Sequence, residues 1–201
     1  LLQGNIDQTI KWAPETAQRT LHQYLNMAEQ STAQLIIMPE TAMPVLSSNM
    51  PQEMTARLKQ HAISNNGDVL VGMVERENDE YFNSVLSFGS SETAVYRKSH
   101  LVPFGEYLPL RSIPPFSWLK GIFPGDFMPG TSTEPLKLAK PEVQIIPLIC
   151  FEDTVGRLAR RFVRAEPQMI VNITNDGWFL KSEQTEVHTA NAKFRAIELR
   201  R

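Results

Sequence analysis

The chain has 201 residues, of which 42% are hydrophobic, and this is enough to form one domain with a substantial core. Its 20 basic and 22 acidic residues leave a formal net charge of −2, and no basic block is interleaved with aromatic residues, so we expect no nucleic-acid partner. The single cysteine excludes an internal disulfide, and no apolar run approaches the roughly 20 residues that cross a bilayer.

Helical patterns alternate with short apolar runs along the chain, in an order typical of an α/β layered fold. Pro14 suits the first turn of a helix, because its fixed φ is already helical. The predicted helices cover about 14–28, 54–62, 154–164 and 183–200. The predicted strands cover 34–38, 68–74, 84–88, 94–96, 143–149 and 169–174, and those at 84–88 and 94–96 are expected to form a hairpin.

An irregular segment from 99 to 141 interrupts this alternation and contains most of the 14 prolines. Long irregular segments in compact domains are commonly functional loops. Large apolar residues cluster in it, and Trp118 and Phe123 are our candidates for lipid contact, because exposed apolar clusters mark membrane or ligand surfaces. The alternative is that these residues fold back over the core as a lid.

Three residues with reactive side chains each follow a predicted strand: Glu40, Lys98 and Cys150. Open sheets place their ligand crevice at the ends of adjacent strands, so we expect the three side chains to converge. A carboxylate can take the proton of a thiol, and an ammonium stabilises both the thiolate and the oxyanion that forms when a carbonyl is attacked. The backbone N–H of Phe151, directly after the cysteine, is a second candidate oxyanion donor.

Each of these residues also has an ordinary structural interpretation. A lone cysteine at the end of an apolar strand is typical of a small core residue. Glu40 can simply terminate its strand, and Lys98 lies beside Arg97 on what can be a solvated edge. The spacing alone therefore leaves a catalytic and a structural interpretation open.

The segments around these residues resemble those of the nitrilase superfamily. The matching segments are MPETA at 38–42, YRKSHLVPFGEY at 96–107, ICFE at 149–152 and NDGWF at 175–179. The last of them is similar to a stretch typical of one branch, the apolipoprotein N-acyltransferases. QGNI at 3–6 and RAIEL at 195–199 resemble the opening and the closing helix of that branch, so the resemblance spans nearly the whole chain in family order.

The resemblance implies a fold and a set of roles. The fold is an α/β, nitrilase-like αββα sandwich without its final strands, with residues 1–201 as a partial catalytic domain. The catalytic triad is Glu40 as base, Lys98 as stabiliser of oxyanion and thiolate, and Cys150 as nucleophile. Glu106 and Glu152 have supporting roles. Because the chain lacks a starting methionine, we interpret it as an excised piece of a longer protein whose upstream membrane bundle is not included.

The implied reaction moves an acyl chain from a phospholipid, through a thioester on Cys150, to the N-terminal amine of a diacylglyceryl-cysteine apolipoprotein. The parent protein is expected in the plasma (inner) membrane of a bacterium, with this domain facing the periplasm. No metal or cofactor is expected, because the chemistry needs none and the sequence has no Cys/His cluster. Trp178 is a further candidate for lipid contact, with a packing role as its alternative, and His188 is interpreted as structural.

Two other functions stay open at this point. One is a soluble nitrilase-type amidase, which would use the same triad and let water take the place of the amine. The other is a non-catalytic module that retains the fold as a binding or structural unit.

Overall fold

The structure is a computed structural model, and it describes residues 1–89, 93–109, 126–138, 143–179 and 182–201. The helices are α1 (Pro14–Glu29), α2 (Gln52–Ser64), α3 (Gly156–Phe162) and α4 (Gln184–Leu199). The strands are β1 (Leu35–Ile37), β2 (Asp68–Glu77), β3 (Glu80–Phe88), β4 (Ala94–Arg97), β5 (Leu136–Lys137), β6 (Gln144–Ile149) and β7 (Met169–Ile173). None of the described helices is long and apolar enough to cross a membrane.

The strands form two mixed sheets. The first has the order β1-β2-β3-β4, with β1 parallel to β2 and the other neighbours antiparallel. The second has the order β5-β6-β7, in which β6 runs parallel to β7 and antiparallel to β5. A parallel pair requires a crossover, and α2 and α3 supply the crossovers between β1 and β2 and between β6 and β7.

Two hydrophobic clusters show how the layers stack. In β2, Val71 belongs to a cluster with Leu25 of α1 and Leu58 of α2, so one face of the first sheet lies under these helices. The neighbouring Leu70 points to the opposite face and packs with Ile146 of β6 in the second cluster, which also includes residues of α3. The layer order is therefore helices, sheet, sheet, helices. The expected αββα sandwich is confirmed.

The β2–β3 hairpin is longer than the sequence pattern predicted. We expected strands at 68–74 and 84–88, but β2 continues to Glu77 and β3 begins at Glu80. The connecting residues Asn78 and Asp79 have φ values of 48° and 64°, which suit a two-residue turn that requires positive φ. The added end of β2, residues 75–77, is polar and becomes exposed toward the turn, so it carries no apolar signal from which a strand is predicted. The added end of β3 includes the buried Phe82, but it is interrupted by the polar Asn83.

Two other boundaries also differ from the prediction. β5 lies within the segment predicted to be irregular, and its two residues are too few for a periodic pattern. The helix predicted from about 154 begins at Gly156 instead, because Cys150–Thr154 forms a 3₁₀ turn directly after β6.

Candidate active site

Glu40 lies just beyond β1, where the chain continues alongside β2. The backbone N–H of Met38 still donates to the carbonyl oxygen of Leu70, at 2.9 Å. Beyond that point the chain passes Gly72 so closely that a Cβ at this glycine would lie 2.3 Å from the carbonyl oxygen of Pro39. The missing side chain of Gly72 therefore allows Glu40 to lie beside β2.

Two hydrogen bonds fix the buried carboxylate of Glu40. Its Oε1 accepts from Nδ2 of Asn83 at 2.7 Å, and its Oε2 accepts from the backbone N–H of Asn175 at 3.0 Å. Burial raises the pKa of Glu40, and the positive charge of Lys98 and the Asn83 hydrogen bond offset only part of this rise. A carboxylate with a raised pKa is a stronger base than an exposed one.

A second carboxylate holds the ammonium group of Lys98, whose side chain is fully buried. Its Nζ lies 2.8 Å from Oε2 and 2.9 Å from Oε1 of Glu106, and 3.9 Å from Oε1 of Glu40. Nδ2 of Asn83 also donates to Glu106, at 3.1 Å, so one amide bridges both carboxylates. Burial acts to lower the pKa of Lys98, but the two negative charges outweigh it and raise the pKa. The lysine is therefore a permanent cation.

From the sequence we expected these side chains to converge at the ends of adjacent strands of one open sheet. The structure brings them together in a different way. Glu40 follows β1 and Lys98 follows β4, and these are the two edges of the first sheet, separated by β2 and β3. The two groups meet over β3, where Asn83 hydrogen-bonds Glu40 and its carbonyl oxygen accepts from the Lys98 backbone N–H at 2.8 Å. Cys150 comes from the second sheet. The site therefore lies between two sheets.

Cys150 stands at the sharp turn between β6 and the 3₁₀ turn that follows. Its φ of 54° lies in the left-handed region, which costs a residue with a Cβ about 1–2 kcal/mol. Strain of this kind persists only where the surrounding structure holds it. The turn carries a half-buried thiol that lies within electrostatic reach of Glu40 and Lys98.

Glu152 is the group that holds this turn in place, and its side chain is fully buried. Its Oε2 accepts from the backbone N–H of Ile149 at 2.9 Å. Its Oε1 accepts from the backbone N–H groups of Ser99 and His100, at 2.8 and 2.9 Å. The hydroxyl group of Tyr96 lies 3.0 Å from both oxygens. One carboxylate thus joins the residue before the cysteine to the residues after the lysine, across the two sheets.

The thiol of Cys150 is neutral at rest. Burial raises its pKa to about 12, and the negative charge of Glu40 adds to the rise. The charge of Lys98, the side chain of Thr174 and the backbone N–H of Phe151 act in the opposite direction. The thiol, the carboxylate and the ammonium therefore interact electrostatically in one cluster, and the thiol needs a base to lose its proton.

Three polar residues of this cluster were not predicted from the sequence: Asn83, Lys11 and Thr174. Asn83 lies within a buried apolar strand, which is a usable signal, because a buried amide needs partners. Lys11 is 3% exposed, and its Nζ donates to Oγ1 of Thr41 at 2.8 Å. Burial lowers the pKa of Lys11 to about 8, although the charge of Glu40 opposes this change. No local pattern distinguishes Lys11 or Thr174.

The other predicted residues have different surroundings. The side chain of Phe151 is 40% exposed, and that of Trp178 is 68% exposed on the turn after the second sheet. Trp118 and Phe123 lie outside the described residues. Within the described ranges, no group of three or more His, Cys, Asp or Glu side chains is arranged to hold a metal ion.

Two mixed sheets packed between helices, with a carboxylate, an ammonium and a thiol between the sheets, define a nitrilase-like αββα domain. The carbon-nitrogen hydrolase family matches residues 1–201, and this chain belongs to that family.

Curated relatives match the chain along its whole length. A protein of Nitrosomonas europaea named apolipoprotein N-acyltransferase is 39% identical over 206 residues, which cover 98% of this chain and 40% of that protein. A protein of Geobacter metallireducens with the same name is 36% identical over 212 residues, which cover 100% of this chain and 40% of that protein. The chain thus spans about two fifths of the length of these relatives.

Solved structures share the fold. A carbon-nitrogen hydrolase from Helicobacter pylori G27 superposes with a TM-score of 0.65 at 17% identity, covering 90% of this chain and 65% of that one. A mutant amidase from Nesterenkonia sp. AN1, with acrylamide added at its active-site cysteine, gives a TM-score of 0.62 at 16% identity, covering 90% and 69%. At these identities the likeness concerns the fold alone.

Proposed function

We propose that this chain carries the catalytic centre of an acyltransferase. It would move an acyl chain from a phospholipid, through a thioester on Cys150, to the N-terminal amine of a diacylglyceryl-cysteine apolipoprotein. One observation carries the chemistry: a buried carboxylate, Glu40, and a buried ammonium, Lys98, both act electrostatically on one thiol. The name of the curated relatives supports the substrate class.

In the first half-reaction Glu40 accepts the thiol proton while the sulfur of Cys150 attacks the ester carbonyl of the phospholipid. The ammonium of Lys98 and the backbone N–H of Phe151 stabilise the oxyanion. The tetrahedral intermediate collapses to the thioester, and the proton on Glu40 passes to the departing lysophospholipid oxygen. Because the thiol pKa is about 12, the base removes the proton as the sulfur attacks, and no thiolate builds up beforehand.

In the second half-reaction the amine of the apolipoprotein attacks the thioester carbonyl. Glu40 accepts a proton from the attacking nitrogen and returns it to the sulfur of Cys150 as the C–S bond breaks, so the free thiol is regenerated. Glu106 keeps Lys98 charged and in place through both halves. Glu152 keeps the cysteine turn against the lysine segment. The scheme requires no metal ion or cofactor.

The substrates suggest where the reaction occurs. Both the acyl donor and the acceptor are anchored in a lipid bilayer. We therefore propose that the full-length protein works at the bacterial inner membrane, with this domain on the periplasmic side. Trp178 is the described residue that we assign to lipid contact, because 68% of its side chain is exposed and an indole suits a membrane interface. Trp118 and Phe123 keep the same assignment as a prediction.

A second candidate is an amidase that hydrolyses C–N bonds with the same three residues. The match of the carbon-nitrogen hydrolase family to residues 1–201 favours it. The two reactions share the acyl-enzyme and differ in what forms it and what removes it.

Intact mass spectrometry of the full-length protein distinguishes these functions. After incubation with a phospholipid of defined acyl chains, we expect a mass increase of one acyl group, which is absent in Cys150→Ala. Adding a synthetic diacylglyceryl-cysteine peptide should discharge the adduct onto the peptide. An adduct from short amides only, discharged by water, would support the amidase, and no adduct from either donor would contradict both enzymatic proposals.

A further inference from the structure

A polar network lies behind the nucleophile and has no role in the scheme above. Thr174 directly follows β7, and Ile149 pairs with Ile173 at the end of the parallel β6–β7 ladder. The next residues on the two strands are Cys150 and Thr174, so the hydroxyl group of Thr174 lies beside the cysteine. It lies close enough to the thiol to lower the thiol pKa.

The same hydroxyl group is bound to an acid–histidine pair. Oγ1 of Thr174 donates to Oδ1 of Asp176 at 2.9 Å. Nδ1 of His188, on α4, lies 2.7 Å from the same oxygen. The His188 side chain is only 3% exposed, and its Nε2 is buried without a hydrogen-bond partner among the described residues. Leaving such a group without a partner destabilises the folded state, so the position of His188 is not explained by stability alone.

The single hydroxyl hydrogen of Thr174 indicates a role for the Asp176–His188 pair. A threonine hydroxyl has one hydrogen, and it can donate either to Asp176 or to the sulfur of Cys150, but not to both. While the cysteine is a thiol, the hydrogen of Thr174 points to Asp176. Once the thiol has lost its proton, the sulfur needs a donor. If the hydroxyl then turns to the sulfur, Oδ1 of Asp176 still keeps the hydrogen bond from His188.

We propose that Thr174 is a positioning residue for the nucleophile, and that the Asp176–His188 pair releases its hydroxyl hydrogen to the sulfur during attack. The inference deepens the proposed function, because it assigns the control of the sulfur that the acyl transfer uses. It applies equally to any reaction that begins with attack by Cys150.

Other charged groups surround the pair and enter any pH profile. Asp153, from the 3₁₀ turn after Cys150, is fully buried and interacts electrostatically with His188, Asp176 and Arg195. Arg195 lies on α4 with His188 and is paired with Glu198 at 2.8 Å. A comparison between variants at the same pH is therefore more informative than a single profile.

The test measures the rate at which iodoacetamide alkylates Cys150 in the full-length protein, between pH 6 and 10, by mass spectrometry of the peptide that contains it. Thr174→Val removes the hydroxyl at constant shape and should slow alkylation about 10- to 100-fold at neutral pH, the value of one hydrogen bond to a charged group. Thr174→Ser should stay within about threefold of the parent. His188→Gln should also slow alkylation, because the hydroxyl then stays on Asp176.

The decisive comparison is the double variant. His188→Gln should add nothing to Thr174→Val, because the histidine acts only through the hydroxyl. His61→Gln is the matched control, since that histidine bonds the backbone oxygen of Ser31 on the far side of the first sheet and should not alter the rate. Thermal unfolding of each variant identifies misfolding, and Thr174→Ala replaces Thr174→Val if the latter does not fold.

Three results would overturn the inference. The first two are alkylation at the parental rate in the folded Thr174 variant or in His188→Gln. The third is that His188→Gln slows alkylation by the same factor in the parent and in Thr174→Val. Alkylation needs no phospholipid. A protein that forms no acyl adduct but shows the expected pattern would therefore refute the proposed function and leave this inference intact.

Discussion

Replacing Gly72 by alanine is expected to disable the site by displacing the segment that carries Glu40. A Cβ at Gly72 would lie 2.3 Å from the carbonyl oxygen of Pro39, 2.7 Å from the Cα of Glu40 and 2.8 Å from the backbone nitrogen of Thr41. All three contacts are with backbone atoms, so no side-chain rotation can relieve them. The segment that carries the carboxylate must move away from β2.

The size of the effect follows from these distances. Ordinary Cβ contacts begin at about 3.4 Å, so the segment must shift by about 1 Å, and overpacking of this kind costs about 1–3 kcal/mol of stability. The same shift displaces Glu40 from its 2.7 Å hydrogen bond to Asn83. A misplacement of about 1 Å in a catalytic group lowers rates by about 100-fold. We therefore expect a larger loss of activity than of stability.

The assay compares Gly72→Ala with Gly105→Ala, in which the nearest contact of the new Cβ is a side-chain carbon of Val102 at an ordinary 3.5 Å. Urea unfolding gives the free energy of unfolding, and formation of the Cys150 acyl adduct gives the rate. Gly105→Ala should match the parent in both. If Gly72→Ala forms the adduct at the same rate as Gly105→Ala, the close approach of the Glu40 segment to β2 is not what positions the base.

Three further variants test the buried groups. Glu152→Gln leaves at least one buried N–H facing an amide N–H and weakens the other hydrogen bonds of this side chain. Urea unfolding should therefore show a free energy of unfolding lower by about 3 kcal/mol. The control Glu77→Gln, at an exposed position, should lower it by less than about 1 kcal/mol. Asn83→Asp places a third carboxylate against Glu40 and removes the amide that donates to it, so adduct formation at pH 7 by the folded protein should fall by about 100-fold or more. The melting temperature should fall as well, because the new charge is buried without a partner; an unchanged rate would exclude Asn83 from the site. Burial raises the pKa of Asp153 to about 6, so the folded state binds this proton more tightly than the unfolded state, and the contribution to stability falls as the pH rises from about 4 to 6. Asp153→Asn should remove about 2 kcal/mol of that fall, as measured by urea unfolding at pH 4.5 and 7; equal pH dependence in variant and parent would contradict the raised pKa.

The class of fold and the segments that form the candidate site follow from local patterns along the chain. Periodic apolar residues fixed most helices and strands, since burial of one helix face or of a whole strand follows from local spacing. The polar residues at the ends of three strands, together with their neighbouring residues, selected Glu40, Lys98 and Cys150. This selection is possible because a reactive side chain at a strand end is visible in the sequence without knowledge of its partners.

How those segments meet depends on the packing of the two sheets, which local patterns in the chain do not reveal. The carboxylate and the ammonium come from opposite edges of one sheet and the thiol from another sheet, and Asn83 and Glu152 connect them. The bond from Asn175 to Glu40 joins residues 135 positions apart. Such contacts leave no periodic trace in the chain, because a buried polar group is stable wherever its partners happen to be in space, whatever their separation in sequence.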